Sequence, residues 1–231
     1  MVRKDFRDLR WAGLFLLLGA LGGGVATLLH PPYLNTVMGR HELVAIAHTG
    51  YYGLLHWALL AADLFMGFGL VGLFLYLLRE RGLSFPLLSA FALNLLQMAL
   101  WTGLFVGEAT SLIQEAAAYA AMTEESYQEL LAILNASRAS YEIALGYVAM
   151  AMLWVGTLLF SLALLTIPSY PRVLAQLGIA GSLLALLAQG AAPLYPILGH
   201  IRIMALLQGP GGAWLFLTGL WLFLRTKETK A

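Results

Sequence analysis

Residues 51–78 read YYGLLHWALLAADLFMGFGLVGLFLYLL, and Asp63 is the only one of them with a formal charge. As an α-helix this stretch would be about 40 Å long, more than the roughly 30 Å thickness of a bilayer's hydrocarbon core. A run this long and this apolar is typical of a transmembrane helix. We therefore predict that residues 51–78 cross a membrane.

Five further apolar runs lie on either side of this stretch, and each is also long enough to cross. The six predicted spans cover residues 11–29, 51–78, 86–112, 141–167, 173–192 and 201–224. Of the 231 residues, 61% are hydrophobic and 11% charged, whereas globular domains carry about 25% charged residues. Long Leu-rich and Ala-rich runs favour helices over alternating strands. We predict an all-α integral membrane protein, a six-helix bundle forming one polytopic domain over residues 1–231, with the lipid bilayer as partner.

The positions of Lys and Arg predict how the bundle is oriented. With six spans, ten of the thirteen basic residues fall on one side of the membrane, and Arg40, Arg138 and Arg202 fall on the other. Cytoplasmic loops carry an excess of Lys and Arg. Both termini are therefore predicted to be cytoplasmic, in a plasma (inner) membrane.

Two irregularities are predicted near the outer side. After Thr123, apolar residues recur at helical spacing up to Tyr141, which predicts an amphipathic outer helix before the fourth span. In the sixth span, Pro210 stands among three glycines in the run 209–212. In a helix interior each Gly costs about 1 kcal/mol and Pro about 3, so we predict a broken sixth helix at this point. Packing of neighbouring helices and a ligand site both remain open as its reason.

The ionisable residues are distributed unevenly across the membrane. All five histidines fall in the outer connections or the outer halves of the spans, namely His30, His41, His48, His56 and His200. Asp63, Glu108 and Glu142 lie at a comparable depth, where charges are costly unless they are paired or hydrated. This predicts a polar cavity that opens outward, in which protons or a ligand are handled by Asp63, Glu108, Glu142 and Tyr52.

The second span carries the most coherent polar face. At about 100° per residue, His48, Tyr52, His56 and Asp63 share one stripe of the helix. His48 and His56 would lie about 12 Å apart along the axis, too far to ligate one metal ion together. Each histidine therefore needs a partner from another element.

Three functional hypotheses remain open, and with them the question of whether the protein is an enzyme. The first is a membrane-embedded b-type haem protein with its site at the outer side. Its cofactor-binding candidates are His56 and His200 as axial ligands, followed by His48 and His30. Its implied role is electron transfer with quinone or quinol as partner.

The second hypothesis is a metal-dependent membrane hydrolase with His56 and His200 among its metal ligands, although no H-x-x-x-H spacing is present. The third is a non-catalytic transporter with an outward-facing cavity, or an accessory subunit of a larger membrane complex. The absence of cysteine excludes thiolate catalysis, disulfides and iron–sulfur clusters. A net charge of +1 gives no sign of a nucleic-acid partner.

Overall fold

The computed structural model describes residues 6–30, 40–123, 125, 126, 128 and 144–225. The helices whose bounds fall in these ranges are α1 (Phe6–Leu29), α2 (Arg40–His48), α3 (Tyr52–Arg81), α4 (Phe85–Ala120), α5 (Ala144–Leu164), α6 (Arg172–Ala191) and α7 (Ile201–Leu224). A short 3-10 helix, Pro196–Gly199, precedes α7.

Six helices, α1 and α3 to α7, are long and apolar enough to cross a membrane. Large apolar side chains lie on the outside of these helices, and Leu54, Leu187 and Leu206 are 73%, 71% and 75% exposed. An outer surface of this kind suits lipid rather than water. The prediction of six membrane-spanning helices is confirmed, as expected of a multi-pass membrane protein.

The third predicted span is longer than the sequence pattern suggested. It was expected to end at residue 112, but α4 continues to Ala120. Residues 115–120, EAAAYA, contain strong helix formers and no Gly or Pro. Ala116 of this extension is buried in one cluster with Leu112, the last residue of the predicted span, and with Leu43 and Ile46 of α2. The extension is therefore held by packing against α2.

The polar stripe of the second span is shorter than predicted. Residues 49–51 separate α2 from α3, so His48 ends one helix and Tyr52 begins the next. Tyr52, His56 and Asp63 share α3 and are all buried. His48 is exposed and does not belong to that stripe.

The six long helices form a closed ring. Each packs against the next one along the chain, and α7 returns to pack against α1. Successive long helices run in opposite directions, so one end of the ring contains the last residues of α1 and the first of α3. We call this the upper end. The lower end contains the last residues of α3 and the first of α4.

The interior of the lower half is filled with apolar side chains. Among the largest that are fully buried are Leu16, Leu73, Leu77, Phe160 and Trp214. At the rim, the Arg225 guanidinium donates hydrogen bonds to the hydroxyls of Tyr76 and Ser169. The ring is therefore closed at its lower end.

The prediction of a broken sixth helix is wrong, since α7 is continuous from Ile201 to Leu224 with Pro210 inside it. Proline removes one backbone hydrogen bond at a cost of about 3 kcal/mol. A full break in lipid would leave several backbone groups unpaired at several kcal/mol each. The glycines serve packing: a Cβ at Gly181 would lie 2.5 Å from the backbone nitrogen of Gly211, and one at Gly211 would lie 2.2 Å from the Trp154 ring.

Two predictions fall wholly or largely outside the described residues. One is the amphipathic helix before the fourth span, because most of residues 124–143 are not among the described residues. The other is the position of Glu142. The orientation of the bundle, with both termini cytoplasmic, also stays a prediction.

Candidate functional site

A cavity of about 890 Å3 occupies the interior of the ring above the packed core. Its wall is formed by α1, α3, α4, α5 and α7, with Gln189 contributed by α6. Most of the lining is apolar or aromatic, for example Leu59, Trp101 and Phe105. Small-molecule sites typically measure about 300–1,000 Å3 and combine apolar walls with a few polar groups. The cavity has the dimensions and lining of such a site.

His56 is the centre of the upper polar group of this cavity. Its side chain is 1% exposed, and its Nδ1 lies 3.0 Å from the carbonyl oxygen of Tyr52, one turn earlier in α3. Its Nε2 lies 2.7 Å from Oε2 of Glu108 on α4 and 3.4 Å from Nε2 of His30 at the end of α1. Three separate elements therefore bring His30, His56 and Glu108 together.

The position of one proton follows from these contacts. A carbonyl oxygen can only accept, so Nδ1 of His56 must donate to Tyr52. Nε2 is the other ring nitrogen that can carry a proton. It lies 2.7 Å from Oε2 of Glu108, and a hydrogen bond at this distance requires a proton on one of these two atoms. The His56–Glu108 pair consequently holds one proton, as imidazolium with carboxylate or as imidazole with carboxylic acid.

Asp63, with its partner Gln97, forms the lower polar group; Asp63 lines the cavity, whereas Gln97 does not. Asp63 lies seven residues after His56, about 10 Å further down the same face of α3. Asp63 is 6% exposed, and Nε2 of Gln97 on α4 donates to its Oδ1 at 2.5 Å. The other carboxylate oxygen, Oδ2, is buried without a hydrogen-bond partner. The expectation that Asp63 points into the bundle is confirmed.

Three more side chains of the cavity wall hold buried polar atoms without a hydrogen-bond partner. These are Nε1 of Trp154, Oε1 of Gln189 and Nε2 of Gln208. Gln189 is also anchored, because its Nε2 donates to the carbonyl oxygen of Tyr147. With Oδ2 of Asp63, the residues of the wall thus contain two donors and two acceptors that are buried and unpaired.

Sequence reasoning did not identify Gln97, Trp154, Gln189 or Gln208. A usable signal existed for the glutamines, because an uncharged polar side chain within an apolar span often forms contacts between helices. No comparable signal existed for Trp154, whose environment depends on how α5 packs in the ring.

The remaining histidines take other positions. Nδ1 of His200 accepts a hydrogen bond from the backbone N–H of Arg202 at 3.3 Å, so this side chain caps α7. Nδ1 of His48 lies 2.7 Å from the carbonyl oxygen of Val44 at an exposed site. Among the described residues that line the cavity, His30 and His56 are present, while His48 and His200 are not. The structure does not bring the predicted pair His56 and His200 together at the cavity.

The pair of His30 and His56 does not fit a haem held between two imidazoles. Two axial imidazoles must face one iron from opposite sides, with the macrocycle between them. Here the two Nε2 atoms of His30 and His56 are 3.4 Å apart, their rings meet edge to face, and Nε2 of His56 is bonded to Glu108. Nothing in this geometry leaves room for a ring between the two imidazoles.

A metal centre is not supported by side-chain geometry either. Within the described part of the chain, no three His, Asp or Glu side chains are grouped so that they could hold a metal ion. His30 and Glu108 each approach the same atom, Nε2 of His56, at 3.4 and 2.7 Å.

Comparison of the chain with protein-family models, with curated proteins and with solved structures finds no match.

Proposed function

We propose that this protein is a proton-coupled carrier for a small, mostly apolar molecule, which binds in the cavity. The observation that carries the proposal is a cavity of about 890 Å3, closed below by a packed core, whose apolar wall is interrupted by His56 with Glu108 and, further down, by the buried carboxylate of Asp63. Ionisable groups inside a membrane are costly, and they commonly mark pathways of substrates and protons.

The upper polar group supplies a site at which binding and protonation can be linked. Tyr52 fixes the orientation of His56, and Glu108 is 27% exposed, so a ligand in the cavity can contact its carboxyl group. A ligand that hydrogen-bonds to Glu108 competes with His56 for the shared proton. Binding then changes how tightly the pair holds that proton, which is the thermodynamic basis of coupling.

The lower polar group and the wall favour a ligand with one polar end. A buried donor or acceptor without a partner costs about 1–3 kcal/mol. A molecule in the cavity removes part of that cost when the side chain of Trp154, Gln189 or Gln208, or the carboxylate of Asp63, turns towards it and pairs with its polar group. We infer an apolar body with a terminal group that both donates and accepts hydrogen bonds.

The proposal is tested by recovering the ligand from protein purified in native lipid and identifying it by mass spectrometry. Leu59 lines the cavity between His56 and Asp63, whereas Leu54 on the same helix is 73% exposed on the outside. A compound should accompany the wild type and the Leu54→Trp variant but be depleted from Leu59→Trp. If no compound depends on Leu59, the cavity is not a ligand site.

The haem hypothesis has a separate readout. It requires a Soret absorption band in the purified protein that disappears in His56→Ala, whereas the carrier proposal requires no such band.

A further inference from the structure

We propose that the ligand enters the cavity sideways from the membrane, through a gap between the upper halves of α1 and α7, and therefore belongs to the lipid-soluble molecules. The inference rests on the proposed function, because it concerns how the same cavity is filled. Three observations support it: the way α1 and α7 separate, the residues along the gap, and the apolar side chains that form its two edges below Arg202.

In the lower half, α1 and α7 pack backbone against backbone. A Cβ at Gly13 would lie 2.4 Å from the backbone nitrogen of Phe223, and a Cβ at Gly219 would lie 2.9 Å from the carbonyl oxygen of Gly13. Contacts this short leave no space between the two helices. The gap is therefore closed at its base.

In the upper half, the same two helices diverge. A Cβ at Gly24 on α1, or at Gly209 or Gly212 on α7, would meet no atom within 4 Å. Meanwhile α1 stays close to α3, since a Cβ at Gly19 would lie 2.4 Å from the backbone nitrogen of Met66. Helix α1 thus stays packed against α3 and diverges from α7.

The edges of the gap are two stripes that line the cavity and are also exposed on the outside of the bundle. On α1 they consist of Leu21, Gly24, Val25 and Leu28, and on α7 of Leu206, Gly209, Ala213 and Phe216, with Arg202 at the upper end of the α7 stripe. Their spacing of three, four or seven residues places each set on one face of its helix. Residues that are both exposed and cavity-lining define an opening, and this opening faces the region where lipid tails would lie.

The composition of these edges selects what can pass. Below Arg202, at the upper end of the gap, all eight residues are apolar, so a charged molecule that passes between them would lose its hydration without gaining a partner. A lipid-soluble molecule loses nothing at this step, since it is already dissolved in the hydrocarbon. The polar atoms of the wall then hold its polar end inside the cavity.

The route can be tested without knowing the natural ligand. Because the chain has no cysteine, Leu59→Cys introduces a single thiol inside the cavity, and Leu54→Cys introduces one on the outer face. The probe is N-(1-pyrenyl)maleimide dissolved in the vesicle lipid. We expect both thiols to be labelled by this probe.

Closing the gap should slow the labelling of the thiol inside the cavity and leave the labelling of the thiol on the outer face unchanged. Adding Gly24→Trp and Gly209→Trp should slow labelling at Leu59→Cys by about tenfold or more and leave labelling at Leu54→Cys unchanged. Gly103→Trp is the matched control, because Gly103 is also exposed and open but does not line the cavity. Normal labelling at Leu54→Cys and an unchanged elution volume show that the variants are folded; Val25→Trp replaces either tryptophan that fails this check.

An unchanged rate at Leu59→Cys in the plugged variant would overturn the lateral route. So would faster labelling by a sulfonated, water-soluble maleimide than by the lipid-dissolved one. These outcomes are independent of ligand recovery, so a failure of the route and a failure of the carrier proposal can be told apart.

Discussion

Nε2 of His56 lies 2.7 Å from Oε2 of Glu108, while Nδ1 of the same ring is engaged by the carbonyl oxygen of Tyr52. Both nitrogens of a nearly fully buried imidazole are thus in use, and one of them shares a proton with a carboxylate that reaches the cavity. This contact joins α3 to α4. The same two side chains therefore stabilise the bundle and line its cavity.

Two replacements of Glu108 should distinguish the stabilisation that comes from its hydrogen bond to His56 from the effect of its charge. Glu108→Gln keeps a group that can hydrogen-bond to His56, whereas Glu108→Leu leaves Nε2 buried without this partner, at a cost of about 1–3 kcal/mol. Thermal unfolding in detergent should show a clearly lower Tm for the Leu variant than for the Gln variant. Glu115→Leu, at an exposed position of the same helix, should change Tm little. Equal Tm values for the two Glu108 variants would mean that the contact does not stabilise the fold.

Two glycines of α6 should respond in opposite ways to alanine. A Cβ at Gly181 would lie 2.5 Å from the backbone of Gly211, so Gly181→Ala must push α6 and α7 apart, costing about 1–3 kcal/mol. A Cβ at Gly190 would meet no atom within 4 Å, and there alanine should be neutral or stabilising by up to about 1 kcal/mol. Denaturant unfolding of both variants measures the difference. Equal stabilities would contradict the close packing of α6 against α7.

Tyr170, in the lower connection between α5 and α6, should make the fold sensitive to alkali. Burial raises the pKa of Tyr170 from 10.0 to about 12, although its hydrogen bond with Thr218 lowers it. Above pH 10 the unfolded chain releases the phenolic proton and the folded chain retains it. Stability should therefore fall as pH rises from 10 towards 12, by up to about 2–3 kcal/mol.

The Tyr170→Phe variant isolates this effect. At neutral pH it should lose about 1 kcal/mol, because Oγ1 of Thr218 loses the partner that lies 2.7 Å away. Above pH 10 its stability should decline less steeply than that of the wild type in scanning fluorimetry. Tyr195→Phe, at a site 62% exposed, serves as control and should follow the wild type. Parallel declines for Tyr170→Phe and the wild type would show that Tyr170 ionises equally in the folded and unfolded chains.

Reporter fusions test the predicted orientation. With both termini cytoplasmic, alkaline phosphatase fused after Glu125 should be active and the same enzyme fused after Arg81 should be inactive. The opposite pattern would place the upper end of the ring, and the His30–His56–Glu108 group with it, on the cytoplasmic side.

The number and positions of the spans were predictable because lipid imposes one dominant requirement, a long apolar helix. Asp63 and His56 could be placed on one face of α3 for the same reason, since a charge inside a membrane must face the interior. The partners of these residues could not be predicted. Whether His56 meets His30 or His200 depends on which helices are neighbours in the ring, and the spacing of residues within one helix contains no such information.

The continuity of α7 shows a second limit. Helix propensity counts Pro210 and its glycines as breakers, but propensity takes no account of the close approach of Gly181 to Gly211. In lipid, the cost of exposing backbone groups outweighs the cost of one proline. Local sequence preference was therefore a poor guide at the position where helix packing is tightest.

Proton movement during uptake of the recovered compound tests proton-coupled carriage most directly. Vesicles that contain the wild type and enclose the pH-sensitive dye pyranine should acidify internally when the compound is added outside. Asp63→Asn and Glu108→Gln should still bind the compound but lose the acidification, while Leu54→Trp should retain it. Uptake by the wild type without any pH change, or equal acidification in both carboxylate variants, would contradict the account.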